Sequence, residues 1–193
     1  MMELSVSERS LLYCELARWF SFPQEDLYLS LEEGGGLLEV FPPPSPEPLP
    51  TLEELQEAYT SLFDVGAGGP PCSLYEGSYV GWGRTQLFEE LLRFYEFFGL
   101  ELSPSVRELP DHLTVELEFM HYLTFQEAQA EDPSSYRLAQ RDFLARHLAR
   151  WVPLMVERLI QSTGSGFFAT LGEILRSFIG TEAAMSGQWE MQD

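Results

Sequence analysis

An aspartate and a histidine stand next to each other where a helix is predicted to begin. Pro110 cannot continue a preceding helix, and Asp111 is a residue type that caps a new one. His112 and Glu116 are four residues apart, so a helix places them on one face. These side chains can exchange hydrogen bonds, carry charge or transfer protons. They predict a polar binding site at a helix start, and the alternative is a simple cap beside an ordinary surface histidine.

A second group of candidate residues lies in a loop rich in glycine and aromatic side chains. Tyr75, Tyr79 and Trp82 occur close together, beside Glu76. Aromatic rings with a polar tip provide contact area at a low cost in conformational entropy, which suits a groove for an apolar peptide. The same rings can instead pack beneath the helices, and the residue types alone leave both interpretations open.

The sequence lacks the motifs of metal-dependent and nucleophilic enzymes. Its three histidines show no H-E-x-x-H spacing, and Cys14 and Cys72 form neither a C-x-x-C pair nor a zinc pattern. No nucleophile elbow, phosphate-binding loop or dinucleotide-binding loop is present. We therefore predict a binding protein without metal or cofactor. The alternative is a helical enzyme that uses Asp111, His112 and Glu116 for acid–base or metal chemistry.

Acidic residues dominate the charge of the chain, which is −20. Residues 1–132 contain 25 acids and five arginines, whereas the remainder contains six of each and lysine is absent throughout. Such a charge repels nucleic acids and anionic membranes. It is expected to attract a basic partner, and the alternative is that it only keeps the protein soluble. The pairs Arg137/Arg141 and Arg146/Arg150 are expected to bridge to the acidic part, or alternatively to dock on an acidic patch of a partner.

Helical periodicity accounts for most of the chain, and no segment alternates as a strand does. Helices are predicted at 7–22, 25–33, 51–63, 85–98, 111–130, 133–147, 148–161 and 167–179. We expect an all-α fold in which residues 1–180 form one bundle of roughly seven to nine helices. Pro153 is expected to kink or interrupt its helix. The proline-rich connector at 41–50 is a surface loop or a hinge, and residues 181–193 are expected to be a mobile tail.

Three segments in a fixed order resemble the TorD/DmsD/NarJ family. Residues 109–120 fit its pattern L-P-D-H-x4-L-x-x-M. Residues 71–79 are similar to P-x-x-x-Y-E-S-x-Y, with Gly77 inserted after the Y-E pair. Residues 143–151 are similar to F-x3-H-L-x2-W. Together the segments cover the chain from about residue 70 to residue 155.

The resemblance implies a cytoplasmic chaperone for the catalytic subunit of a molybdopterin oxidoreductase. Such a chaperone binds the apo subunit, its twin-arginine leader peptide or both, supports cofactor insertion and delays export. The resemblance also implies a client-binding site, for which the candidates are Tyr75, Glu76, Ser78, Tyr79, Trp82, Glu108, Asp111, His112, Glu116 and Met120. A structural subunit of a redox complex is the remaining alternative.

The N-terminal sequence and the length of the apolar runs bear on location and assembly. The chain begins without the basic and apolar segments of a signal peptide, and no apolar run approaches the ~20 residues that span a bilayer. We therefore expect a cytoplasmic protein without stable membrane insertion. The connector at 41–50 allows either a monomer or a dimer that exchanges helices.

Overall fold

The computed structural model describes residues 4–32, 49–81, 83–103 and 108–186, and these form eight α-helices. In chain order they are α1 (Val6–Trp19), α2 (Glu25–Glu32), α3 (Leu52–Tyr59), α4 (Arg84–Phe97), α5 (Leu113–Glu127), α6 (Ser134–Arg146), α7 (Leu148–Thr163) and α8 (Phe167–Ser186). A π-helical turn at Thr60–Asp64 extends α3, and a 3-10 turn at Glu76–Ser78 precedes α4. The described part contains no strand beyond one isolated bridge, which confirms the predicted all-α fold.

The core is organised around α5, which packs against α1 and α6, while α7 packs against α6 and α8. Leu113, Leu117 and Met120 are spaced by four and three residues, so they form an apolar stripe on α5, and this stripe is fully buried. Burying each such side chain stabilises the fold by roughly 1.5–3 kcal/mol. The packing therefore fixes the N-terminal end of α5, where the Asp–His pair lies. None of the described helices combines the length and the apolar character needed to cross a membrane.

Local capping signals set several helix ends. Thr51 and Glu54 form a capping box at α3, and Ser5 and Glu8 form another at α1. Gly99 follows α4 with φ +70°, a left-handed conformation that glycine adopts without a steric penalty. These signals act within three or four residues, so the sequence alone contains them.

The helix containing Pro153 is not interrupted, contrary to one of the outcomes expected from the sequence. α7 continues through Pro153 to Thr163, and the chain breaks earlier, at His147, whose φ and ψ are −120° and −96°. Proline removes one helical hydrogen bond, but the apolar face around it, including Trp151 and Met155, is fully buried. Tertiary packing therefore outweighs the local cost of the proline.

The last helix is longer than predicted, because α8 continues to Ser186. A glycine inside a helix costs about 1 kcal/mol, which is why Gly180 suggested an end. Beyond it, however, Glu182 is only 2% exposed and is held by Arg9, whose Nη2 lies 2.7 Å from Oε2 of the glutamate. The predicted tail therefore begins too early, and its positions 187–193 lie outside the described residues. Positions 41–48 of the connector also lie outside them.

Arginines from residues 133–193 form ion pairs with acidic residues of the first 132 residues. This is the first of the two roles that the sequence predicted for them. Arg137 Nε lies 2.7 Å from Oε1 of Glu127, and Arg146 forms an ion pair with Glu90. Arg141 instead pairs with its neighbour Asp142. Arginines from the neutral part of the chain therefore hold α6 to α4 and α5.

Candidate binding site

The candidate site forms where the 3-10 turn at Glu76–Ser78 meets the start of α5. Tyr75 and His112 form an antiparallel bridge. The N–H of Leu113 donates to the carbonyl of Leu74 at 2.8 Å, and the N–H of Glu76 donates to the carbonyl of Asp111 at 2.9 Å. Backbone hydrogen bonds thus hold two separate sequence motifs side by side.

Asp111 does not cap α5, so this prediction is wrong. Its Oδ2 accepts a hydrogen bond from the N–H of Gly77 at 3.1 Å. A Cβ atom at position 77 would lie 3.0 Å from that oxygen, so glycine at this position permits the close approach. His112 caps the helix instead, because its Nδ1 accepts from the N–H of Thr114 at 3.3 Å.

One carboxylate oxygen of Asp111 is buried without a partner in the described part of the chain. Asp111 is 4% exposed, and its Oδ1 has no hydrogen-bond partner among the described residues. Burial raises the pKa of this carboxyl above its ordinary value, whereas the hydrogen bond from Gly77 and the charge of Arg84 oppose the rise. A buried acceptor without a donor is costly, so a ligand that supplies an N–H group is favoured here.

A cleft of about 430 Å³ lies in front of Asp111. It is lined by Tyr75, Gly77, Ser78, Arg84, Leu109 and Asp111. At its edge the hydroxyl of Tyr75 donates to Oε2 of Glu108 at 2.7 Å, and the side chain of Glu108 is 40% exposed. The cleft therefore combines an aromatic wall with the acidic side chain of Asp111 and the basic side chain of Arg84, and its volume suits a few side chains of a peptide.

His112 is a buried part of this site, so the alternative of a surface histidine is wrong. Its residue is 5% exposed, and its ring lies edge-on to that of Tyr75 with centroids 4.8 Å apart. Burial lowers the pKa of His112, although the nearby carboxylate of Glu108 opposes this. The imidazole ring of His112 therefore caps the N-terminus of α5 and packs against the ring of Tyr75.

A buried polar cluster lies behind the cleft and includes residues from all three family motifs. Oε2 of Glu76 is 2.9 Å from Nδ1 of His147, and Nε1 of Trp151 donates to Oε2 of Glu116 at 3.0 Å. All four residues are fully buried. Burial raises the pKa of Glu116 well above its ordinary value, and the negative charge of Glu76 adds to the rise. The ring of Tyr79 stacks on Trp151, with centroids 5.7 Å apart.

The structure separates the predicted site residues into two layers and adds others. Tyr75, Ser78 and Asp111 line the cleft, and Glu108 and His112 border it. Glu76, Glu116 and Met120 are fully buried behind it, Tyr79 packs against Trp151, and Trp82 lies outside the described residues. The loop aromatics therefore divide between the two interpretations: Tyr75 faces the cleft and Tyr79 packs beneath the helices.

Sequence reasoning did not assign Arg84, Leu109, His147 or Trp151 to the site. The spacing of His147 and Trp151 by four residues within the third motif is a signal that both face the same buried cluster. Arg84, one of five arginines among the first 132 residues, carried no local signal of its own. In the described part of the chain, no group of three or more His, Cys, Asp or Glu side chains is arranged to hold a metal ion.

Comparison with known proteins gives relatives that match along nearly the whole chain. A chlorate reductase assembly chaperone protein of Ideonella dechloratans is 38% identical over 188 residues, covering 92% of this chain and 93% of that one. A selenate reductase assembly chaperone protein of Thauera selenatis is 39% identical over 187 residues, covering 91% and 92%. The chaperone protein TorD of Vibrio cholerae is 29% identical over 133 residues, covering 65% and 59%.

The fold and a family model agree with these relatives. A crystal structure described as a redox enzyme maturation protein from Archaeoglobus fulgidus superposes with a TM-score of 0.56 over 93% of this chain and 96% of that one, at 23% identity. Residues 25–157 match the family described as nitrate reductase delta subunit, which confirms the resemblance predicted from three motifs. The chain therefore belongs to the nitrate reductase delta subunit family, together with the TorD-type chaperones.

Proposed function

We propose that this protein is a cytoplasmic chaperone that binds the catalytic subunit of a molybdopterin oxidoreductase before its cofactor is inserted. The observation that carries the proposal is the similarity, over more than 90% of both chains, to proteins named as assembly chaperones of chlorate and selenate reductases. The chaperone acts by binding, and we assign it no catalytic step. If the client is exported, binding of its leader delays export until the cofactor is in place.

The cleft at Asp111 is the proposed contact for a leader peptide. A twin-arginine leader has a basic start and an apolar centre. Asp111 provides a carboxylate oxygen without a hydrogen-bond partner among the described residues, Glu108 provides an exposed carboxylate, and Tyr75 and Leu109 provide apolar walls. The charge of −20 attracts the arginines at a distance, whereas the cleft selects them at close range.

A peptide with two adjacent arginines followed by an apolar stretch tests this proposal. It should bind with a dissociation constant in the micromolar range, about −8 kcal/mol. Binding should weaken as salt rises, because part of it is charge attraction. Isothermal titration calorimetry at low and high salt measures both effects, and the control is the same peptide with both arginines replaced by glutamine. Equal affinity for the two peptides would contradict recognition of the arginine pair.

Asp111→Asn separates the charge of Asp111 from its structural hydrogen bond. The asparagine oxygen can still accept from the N–H of Gly77, so the free energy of unfolding should change by less than about 1 kcal/mol. Affinity for the twin-arginine peptide should fall about tenfold, because the negative charge is lost and an NH₂ donor replaces the oxygen that would accept from arginine. Asp132→Asn, an exposed aspartate whose carboxylate accepts from the N–H of Ser134, is the control and should retain the affinity. If Asp111→Asn also retains it, Asp111 does not contact the peptide.

A further inference from the structure

Two fully buried carboxyl groups behind the cleft each have one satisfied and one open oxygen. Oε2 of Glu76 contacts His147, and Oε2 of Glu116 accepts from Trp151. Oε1 of each glutamate lacks a hydrogen-bond partner within the described ranges. Two ionised carboxylates can only accept hydrogen bonds and repel each other, so full ionisation leaves both open oxygens unsatisfied.

We propose that Glu76 and Glu116 share a single proton, which Glu116 donates to Glu76, and that this hydrogen bond positions the client-binding cleft. The side chain of Glu76 acts on Glu116 both through its negative charge and as a hydrogen-bond partner, and each effect raises the pKa of Glu116. A proton on Oε1 of Glu116 satisfies both open oxygens at once. Glu76 then accepts from His147 on one side and from Glu116 on the other. The part that concerns the cleft rests on the proposed function, whereas the shared proton does not.

The backbone shows how the carboxyl pair reaches the cleft. The N–H of Glu76 donates to the carbonyl of Asp111, and the N–H of Gly77 donates to the Asp111 carboxylate. Tyr75, immediately before Glu76, forms the aromatic wall. The side chain of Glu76 therefore anchors the turn that carries both the wall and the bond to Asp111. Glu116 fixes that anchor from the core without touching a client, which makes it a positioning residue.

Other titratable groups surround the pair and must be separated from it in any pH experiment. Nε2 of His147 is 3.7 Å from Oε1 of Glu90, which itself pairs with Arg146. The charge of Asp111 raises the pKa of Glu116 further, and the buried phenol of Tyr95 has its own pKa raised by burial and by both glutamates. Comparison of the wild type with a variant at position 116 cancels the contributions of these neighbours.

Glu116→Gln tests the shared proton without any ligand. Its amide oxygen can accept from Trp151 while its N–H₂ group donates permanently to Glu76. In the wild type the raised pKa of Glu116 means that unfolding releases its proton above the ordinary value of 4.5. The contribution of the Glu116 proton to the free energy of unfolding is therefore fully present below pH 4.5, and it is lost as the pH rises toward the pKa of Glu116 in the folded state. Relative to Glu116→Gln, the wild-type unfolding constant should increase up to about tenfold per pH unit.

Urea unfolding of the wild type and of Glu116→Gln from pH 5 to 8 gives the ratio of their unfolding constants at each pH. A ratio independent of pH would overturn the shared proton, because Glu116 would then be ionised in the fold. The positioning role is tested separately, by measuring the affinity of each variant for the twin-arginine peptide. Glu116→Gln should bind the peptide as the wild type does. Glu116→Leu cannot donate a hydrogen bond to Glu76, so it should bind the peptide about tenfold more weakly. Equal binding by Gln and Leu variants would overturn positioning, and absence of binding by the wild type would instead overturn the proposed function.

Discussion

Replacement of Arg9 by methionine is expected to lower the free energy of unfolding by about 3–5 kcal/mol, because it leaves a buried charge without its partner. Arg9 is 4% exposed, and its guanidinium donates to both oxygens of Glu182 at 2.7 to 2.9 Å. The same group donates to Gln140 at 2.8 Å and lies 3.5 Å from Glu127. Urea denaturation measures the loss.

Two further variants show whether the loss comes from the unpaired carboxylate. Adding Glu182→Gln to Arg9→Met removes the uncompensated charge and should recover most of the stability. Glu127 retains Arg137 as a partner in this background. Arg18→Met, at an arginine 43% exposed on the same helix, is the matched control and should change stability by less than about 1 kcal/mol. A loss below about 1 kcal/mol for Arg9→Met would mean that the network contributes little.

Deletion of the gene is expected to leave the client reductase subunit present but depleted of most of its molybdenum. A chaperone acts before cofactor insertion, so its loss affects maturation and leaves the chemistry of already mature enzyme unchanged. The measurement is molybdenum per client subunit in deletion and parent strains, together with reductase activity per molybdenum. The first quantity should fall and the second should stay constant.

Complementation distinguishes this role from that of a structural subunit. A plasmid copy of the wild type should restore molybdenum content, and the Asp111→Asn variant should restore it less well. Equal molybdenum content in the deletion and parent strains would contradict a maturation role. Co-purification of this protein with the mature reductase at a fixed stoichiometry would then favour the structural subunit.

Features that depend on neighbouring residues were predictable from the sequence. The capping box of Thr51 and Glu54, the left-handed Gly99 and the buried stripe on α5 each involve contacts within one or two helical turns. The three motifs also predicted which segments belong to the candidate site. Helical periodicity and short-range caps therefore determine the class of fold and most helix positions.

Features that depend on distant partners were not predictable in the same way. Asp111 is a good N-cap by residue type, but the N–H of Gly77, 34 residues away, occupies its carboxylate. Glu182 extends α8 because it pairs with Arg9 across 173 residues. Glu116 and Met120 were predicted to bind the client because they belong to a motif, yet their burial places them behind the cleft. Residue type and spacing do not reveal whether a carboxylate accepts a hydrogen bond from its own helix or from a donor that is distant in sequence.

The pairing of Arg9 with Glu182 also has a consequence for biosynthesis. At about 5–20 residues per second, a ribosome makes Glu182 roughly 9–35 s after Arg9. During that interval Arg9 lacks its nearest carboxylate, whereas its other partners, Glu127 and Gln140, are made earlier. A translation product that ends before residue 182 permanently lacks this carboxylate beside a buried arginine, and cellular proteases remove chains destabilised in this way.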